Sequence, residues 1–175
     1  MADALASGAS GGDPVEVQVL SAAPSFLERN EVFLMDDYQL FEEFLTNEEL
    51  FFKADKFPNG TPFFRIPQKI KNGSLVDIFV VFEEENVKVL FLKIATVEDD
   101  EKLPVFYELF NDLNRNYKFF TFNLNSDNEV VLEGNLPTDL RDGEFQPESL
   151  FGYIIAALKT LSDVYPKIMK VIWAD

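Results

Sequence analysis

The sequence predicts an α+β fold: an antiparallel sheet of about five strands with helices packed on it, in the order α-β-β-β-α-β-β-α. Three observations predict it. Apolar residues alternate with period two in runs joined by turn residues, such as Leu75–Phe82 after Asn72-Gly73 and Glu129–Leu136 after Ser126-Asp127-Asn128. Helical spacing replaces that alternation around residues 36–50, 103–113 and 147–164. Phe is unusually common, at 19 of 175 residues, so the core should be large and aromatic.

In chain order, residues 1–24 form a flexible leader, rich in Ala, Ser and Gly and partly resembling a cloning scar, and residues 25–175 form a single domain. Within the leader, Val15, Val17 and Val19 alternate with Glu16 and Gln18, as in a short strand. The stretch Phe26–Leu34 fits a helical turn or an added edge strand equally. From Asp36, which can cap a helix, Tyr38, Phe41, Phe44 and Leu45 share one helical face. Pro58, Asn59 and Gly60 mark a loop over 55–62. The first strand, 63–70, contains Pro67, which cannot donate a ladder hydrogen bond and so belongs on a sheet edge. The second strand, 75–82, has Val76, Ile78, Val80 and Phe82 on one face and Leu75, Phe79 and Val81 on the other, as expected of an interior strand. The third, 87–95, sets Leu90, Leu92 and Ile94 against Val89, Phe91 and Lys93.

Pro104 suits the first turn of the next helix, whose apolar face is Leu103, Phe106, Leu109 or Phe110, and Leu113. Asn114 and Asn116 can end it, because Asn tolerates the left-handed conformation. A fourth strand over 117–124 buries Phe120, Phe122 and Leu124, and a fifth over 129–136 buries Val130, Leu132 and Leu136. After a polar loop to Gln146, a helix from Pro147 to about Val164 carries the stripe Leu150, Ile154, Ala157, Leu158 and Leu161. Pro166 then predicts a kink or a second short helix.

Charge and composition exclude several functions. The net charge of -16 disfavours nucleic-acid phosphates and anionic membranes, and favours a basic protein partner. The chain has neither Cys nor His, which removes Cys–His and Ser-His-Asp nucleophiles and the usual zinc ligands. No phosphate-binding glycine loop occurs, and no cofactor is implied. No apolar run approaches the ~20 residues of a membrane helix. A cytoplasmic location is expected. Two glycosylation-like triplets, at Asn59 and Asn72, are better explained as Asn-Gly turns.

The helix end Leu113-Asn114-Arg115-Asn116, the strand Phe119–Leu124, the strand Glu129–Glu133 followed by Leu136-Pro137, and the run Tyr165–Ile172 together resemble the YbjN-like family, from roughly Asp36 to Ala174. That resemblance implies a fold similar to the small, acidic, dimeric type III secretion chaperones. It also implies a regulatory role in bacterial stress responses or signalling, with no established catalytic residues.

Read from the residues, the candidate site is therefore a binding surface, with no catalytic and no metal-ligating residue assigned. Phe79, Val81, Phe119 and Val131 occupy outward strand positions and would form an apolar interface if uncovered. Arg115 suits a peptide or ligand carboxylate, and Glu42 and Glu43 lie on an acidic helix with no basic residue between 31 and 50. The leading expectation is a non-enzymatic protein-binding module, chaperone-like or regulatory, engaging a protein partner or a second copy of itself. Two alternatives stand beside it: an acidic mimic or inhibitor of a basic protein, and a carboxylate- or metal-dependent enzyme. Asn123, Asn125, Asp127 and Glu129 have calcium-loop spacing, but Asn128 and Gly134 stand where that loop needs Gly and Glu. Asp99, Asp100 and Glu101 form an acid run of the kind usually just solvated.

Overall fold

A computed structural model of the chain describes residues 26–71, 73, 75–84, 86–137 and 145–174. The leader, its alternating valines, Asn72, Ser74, Glu85 and most of the loop before Gln146 lie outside the described residues. The element order is α1 (Phe26–Asn47), β1 (Lys53–Lys56), β2 (Pro62–Lys69), β3 (Leu75–Phe82), β4 (Asn86–Leu92), α2 (Leu103–Asn116), β5 (Thr121–Leu124), β6 (Val130–Pro137) and α3 (Pro147–Ile172). The strands form one antiparallel sheet in the order β1-β2-β3-β4-β6-β5.

Period-two alternation decides which face each strand buries. Phe64 and Ile66 of β2, Val76, Ile78, Val80 and Phe82 of β3, and Val87, Val89 and Phe91 of β4 join Phe122, Val130 and Leu132 on one face. All three helices pack on that face, through Phe41 and Leu45, through Phe106, Phe110 and Leu113, and through Leu150, Ile154, Ala157, Leu161, Val164 and Ile168. Six of the phenylalanines are fully buried there: Phe41, Phe64, Phe82, Phe91, Phe106 and Phe122. Their rings meet at offset and edge-on angles, as between Phe64 and Phe82 at 5.8 Å and 82°. The surplus of Phe is thus largely a core-filling device.

Several elements differ from the sequence expectation, each for a physical reason. A sixth strand, β1, pairs through its backbone with residues 62–65 of β2. Its sequence, Lys-Ala-Asp-Lys, is exposed throughout and offers no apolar pattern. Pro67 pairs with Asp77 just beyond the reach of β1, so its missing N–H falls on the uncovered part of the edge. The turn between β1 and β2 is the expected Asn-Gly one, with Gly60 at φ 89° and the Asn59 side chain accepting from Thr61 N–H at 3.1 Å.

Strand β4 ends at Leu92 because Lys93 adopts φ 60°. That left-handed residue reverses the alternation, so Ile94 joins Val89 and Phe91 in the core instead of opposing them with Leu90 and Leu92. The helix α2 runs through Asn116, and among the described residues the left-handed asparagine is Asn128 in the β5–β6 turn, not Asn114 or Asn116. The Tyr117 N–H still bonds back to Leu113 C=O, so the chain turns over 117–120 and β5 begins only at Thr121. Pro166 lies inside one continuous helix, α3, rather than dividing it. It is exposed, and the buried stripe continues past it through Val164 and Ile168, so packing of the neighbouring turns offsets the lost hydrogen bond.

The sheet edge at β5 is closed by a side chain. Asn114 of α2 accepts from Phe122 N–H at 2.8 Å and donates to Phe122 C=O at 3.0 Å. Its amide thus occupies the place a neighbouring strand would take. Asn114→Ala should lower stability by about 1–3 kcal/mol, since both partly buried backbone groups lose their partner. Hydrogen exchange at the Phe122 amide should accelerate. Unchanged exchange there would mean the plug does not protect the edge.

Candidate functional site

The helices occupy one sheet face, and the opposite face carries the features worth explaining. Strand alternation places Phe63, Arg65, Pro67 and Lys69 of β2, Leu75, Asp77, Phe79 and Val81 of β3, Lys88, Leu90 and Leu92 of β4, and Val131, Glu133 and Asn135 of β6 there. The apolar members stand outside the helix-facing core. Val81 and Val131 are nonetheless buried, while Phe63, Phe79, Leu90 and Leu92 remain half-buried and Leu75 is exposed. A ring ladder runs along this face, with Phe57 on Phe63 at 4.4 Å and Phe63 on Phe79 at 5.5 Å.

Beside the ladder lies an ionic cluster built on Asp77, which is only 3% exposed. Arg65, directly across from Phe79 in register, grips Asp77 with two bonds, Nε to Oδ1 at 3.0 Å and Nη2 to Oδ2 at 2.8 Å. Lys93 adds its ammonium to Oδ2 at 2.6 Å. The Arg65 guanidinium also lies 6.0 Å from the Phe79 ring centroid, at the limit of cation–π range. Burial alone would push the Asp77 carboxyl up. Hydrogen bonds from Arg65 and Lys93, together with their charges, outweigh it and hold the group below its ordinary value. Toward β6, Lys88 pairs with Glu133 at 3.4 Å and Asn123 donates to Glu133 at 2.9 Å, giving the apolar strip a polar margin.

The expected site residues are thus only partly gathered. Phe79 and Val81 share β3, with Val131 on the same face two strands away. Phe119 is 79% exposed but sits in the turn before β5, where its carbonyl accepts from the Tyr153 hydroxyl of α3 at 2.6 Å. Burial pushes the Tyr153 phenol up to about 12, so it remains a neutral donor across the physiological range. Arg115 lies at the exposed end of α2, with Asp112 at 3.6 Å. Glu42 and Glu43 lie on α1, the first half-buried and the second exposed. Sequence reasoning missed Arg65, Asp77 and Lys93. The available signal was Asp77, the one charge inside the apolar run Leu75–Phe82.

The acid-rich loops are engaged locally. Asp99 accepts from Glu101 N–H at 3.0 Å and caps a single 3₁₀ turn, Asp100–Lys102. Asn125 accepts from the N–H groups of Asp127 and Glu129, both at 2.9 Å, which shapes the β5–β6 turn. Among the described residues, no three acidic side chains cluster as a metal site, and no helix is long and apolar enough to cross a membrane. A groove of about 610 Å³ follows the end of α3, lined by Tyr165, Pro166, Met169, Lys170, Trp173 and Ala174. Its lining includes no carboxylate side chain.

Helices on one face of an antiparallel sheet, with an aromatic and ionic strip on the other, define an α+β protein whose distinctive surface is a sheet face rather than a cleft. The model of the YbjN family, described as "Putative bacterial sensory transduction regulator", matches residues 70–169, more than half of the chain. The chain belongs to that family. The match begins at Ile70, so α1, β1 and β2 precede it. No curated protein matches the chain.

Proposed function

We propose that this protein is a non-enzymatic regulatory module of the cytoplasm that works by binding another protein through the open face of its sheet. The observation that carries this reading is the strip of Phe63, Phe79, Leu90 and Leu92, accessible and outside the helix-facing core. Apolar patches with polar margins mark interaction surfaces. The edges of the sheet support the face as the interface. Asn114 closes the edge at β5, the edge strand β1 is only four exposed residues flanked by lysines, and Pro67 lies where β2 runs beyond β1, all common guards against strand pairing. Membership of a family described as regulatory agrees with this reading. The partner is a protein, and a second copy of the chain is one candidate for that role.

Phe79→Asp tests the proposal, because it charges the centre of the strip without touching the helix-facing core. The parent protein should form a dimer by light scattering or retain a protein partner on affinity capture. The variant should keep the parental circular dichroism and lose at least tenfold in that association. A strictly monomeric parent that retains nothing, or a variant that associates as well as the parent, would overturn the reading.

A further inference from the structure

We propose that Arg65 and Lys93 form a carboxylate-docking point on the open sheet face, and that the occupant is an acidic protein segment with apolar neighbours. This rests on the reading of that face as the binding surface and names the chemistry of what it binds.

Charge is the first ground. The chain carries -16 overall, yet the strands' open face holds, among the described residues, five cations, Lys53, Arg65, Lys69, Lys88 and Lys93, against three carboxylates, Asp55, Asp77 and Glu133. The face is a cationic island on an acidic protein. The second ground is an excess within the cluster. Arg65 alone satisfies Asp77 through a two-bond grip, with both carboxylate oxygens engaged. Lys93 is a second cation on the same carboxylate, so the cluster keeps a net positive charge. Arg65 Nη1 makes no hydrogen bond within the protein among the described residues, and the Lys93 ammonium has further hydrogens to donate. Both side chains are partly open to solvent, at 39% and 61%.

The third ground is backbone conformation. Lys93 holds φ 60°, which disfavours any residue with a Cβ and is ordinarily taken by glycine. Lysine there brings the ammonium onto Asp77 at a conformational cost that neutralising Asp77 does not require. Strain of this kind concentrates at binding sites. Asp77 then acts as a positioning residue: it fixes two cations so that an incoming carboxylate meets donors already oriented. Beside them, Phe63, Phe79 and Leu90 offer apolar surface for the neighbouring side chains of the same segment.

The test uses the full chain and two capped octapeptides, one alternating glutamate with leucine and the other glutamine with leucine. The ¹H–¹⁵N amide spectrum is followed as each is added. The glutamate peptide should shift the amides of Arg65, Phe79 and Lys93 and bind at least tenfold more tightly than the glutamine peptide. Succinate, a free dicarboxylate, should bind at least tenfold more weakly than the glutamate peptide, which separates a protein segment from a small-molecule source. Lys93→Gly removes the charge and relieves the backbone. It should melt no lower than the parent yet lose at least tenfold in affinity for the glutamate peptide. Equal binding of the two peptides, or undiminished binding by Lys93→Gly, would overturn the carboxylate site. If both peptides bind equally but lose binding in Phe79→Asp, the face remains the binding surface and only its ligand chemistry is wrong. Shifts at the same amides that appear on raising protein concentration, without peptide binding, would assign the face to a second copy and also overturn the proposal.

Discussion

Asp77→Asn is expected to lower stability by about 2 kcal/mol at neutral pH. Breaking a fully buried ion pair costs ~3–5 kcal/mol, but Arg65 and Lys93 keep access to water and recover part of that. The variant leaves two like charges side by side with no anion between them, while the amide retains a single acceptor oxygen. The pH dependence has a definite sign. The folded-state pKa of Asp77 lies below its ordinary value, because the bonds and charges of Arg65 and Lys93 outweigh the opposing effect of burial. A depressed carboxyl contributes stability that is complete above the unfolded pKa, near ~3.9, and is lost as the pH falls through the folded value. The gap between parent and variant should therefore be widest at neutral pH and narrow below about pH 4. Urea denaturation at pH 7 and pH 3 measures both. A gap that stays constant between those conditions would show that the loss comes from packing rather than from the carboxylate charge.

Gly134→Ala should cost about 1–3 kcal/mol, the range for an overpacked site. Gly134 lies in β6 opposite Val89. A Cβ there would collide with the Tyr153 hydroxyl and lie 2.8 Å from Tyr153 Cζ. The ring cannot simply withdraw. Its hydroxyl is bonded to Phe119 C=O at 2.6 Å, and its face rests 4.7 Å from the Phe120 ring. Tyr153→Phe alone should cost about 1 kcal/mol by removing that hydrogen bond. The double variant should cost less than the sum, because deleting the hydroxyl also removes the nearest clashing atom. A double-mutant cycle by chemical denaturation decides this. Strict additivity would mean that the glycine serves some purpose other than admitting the tyrosine.

Much of the architecture was legible because it rests on local pattern. The bounds of β3, Leu75–Phe82, coincide with its apolar alternation, and Pro147 and Pro104 mark the beginnings of α3 and α2. What escaped was set by partners distant in the chain. Strand β1 is held by β2 and has no pattern of its own. The end of β4 depends on one backbone angle at Lys93, a residue with no turn propensity to betray it. Pro166 argued for a break, but the apolar stripe on both sides of it continues. The candidate site divides in the same way. Phe79, Val81 and Val131 followed from alternation, whereas Phe119 was displaced when the turn before β5 proved longer than the apolar run suggested. Arg65, Asp77 and Lys93 lie on three different segments, β2, β3 and the end of β4. Only pairing register unites them.

The Asn114 plug also limits the form of any assembly. Head-to-tail pairing of an unblocked β5 with the β1 edge of another copy would be repeatable: each added chain would present a further edge, and growth would continue into a filament whose length depends on concentration. With one amide already bonded to both backbone groups of Phe122, that route of propagation is closed at its first step. Association through the sheet face is self-limiting instead, since two molecules that meet there hide the surface from a third. Complexes of this protein should therefore have a fixed stoichiometry, set by which face is used rather than by how much protein is present.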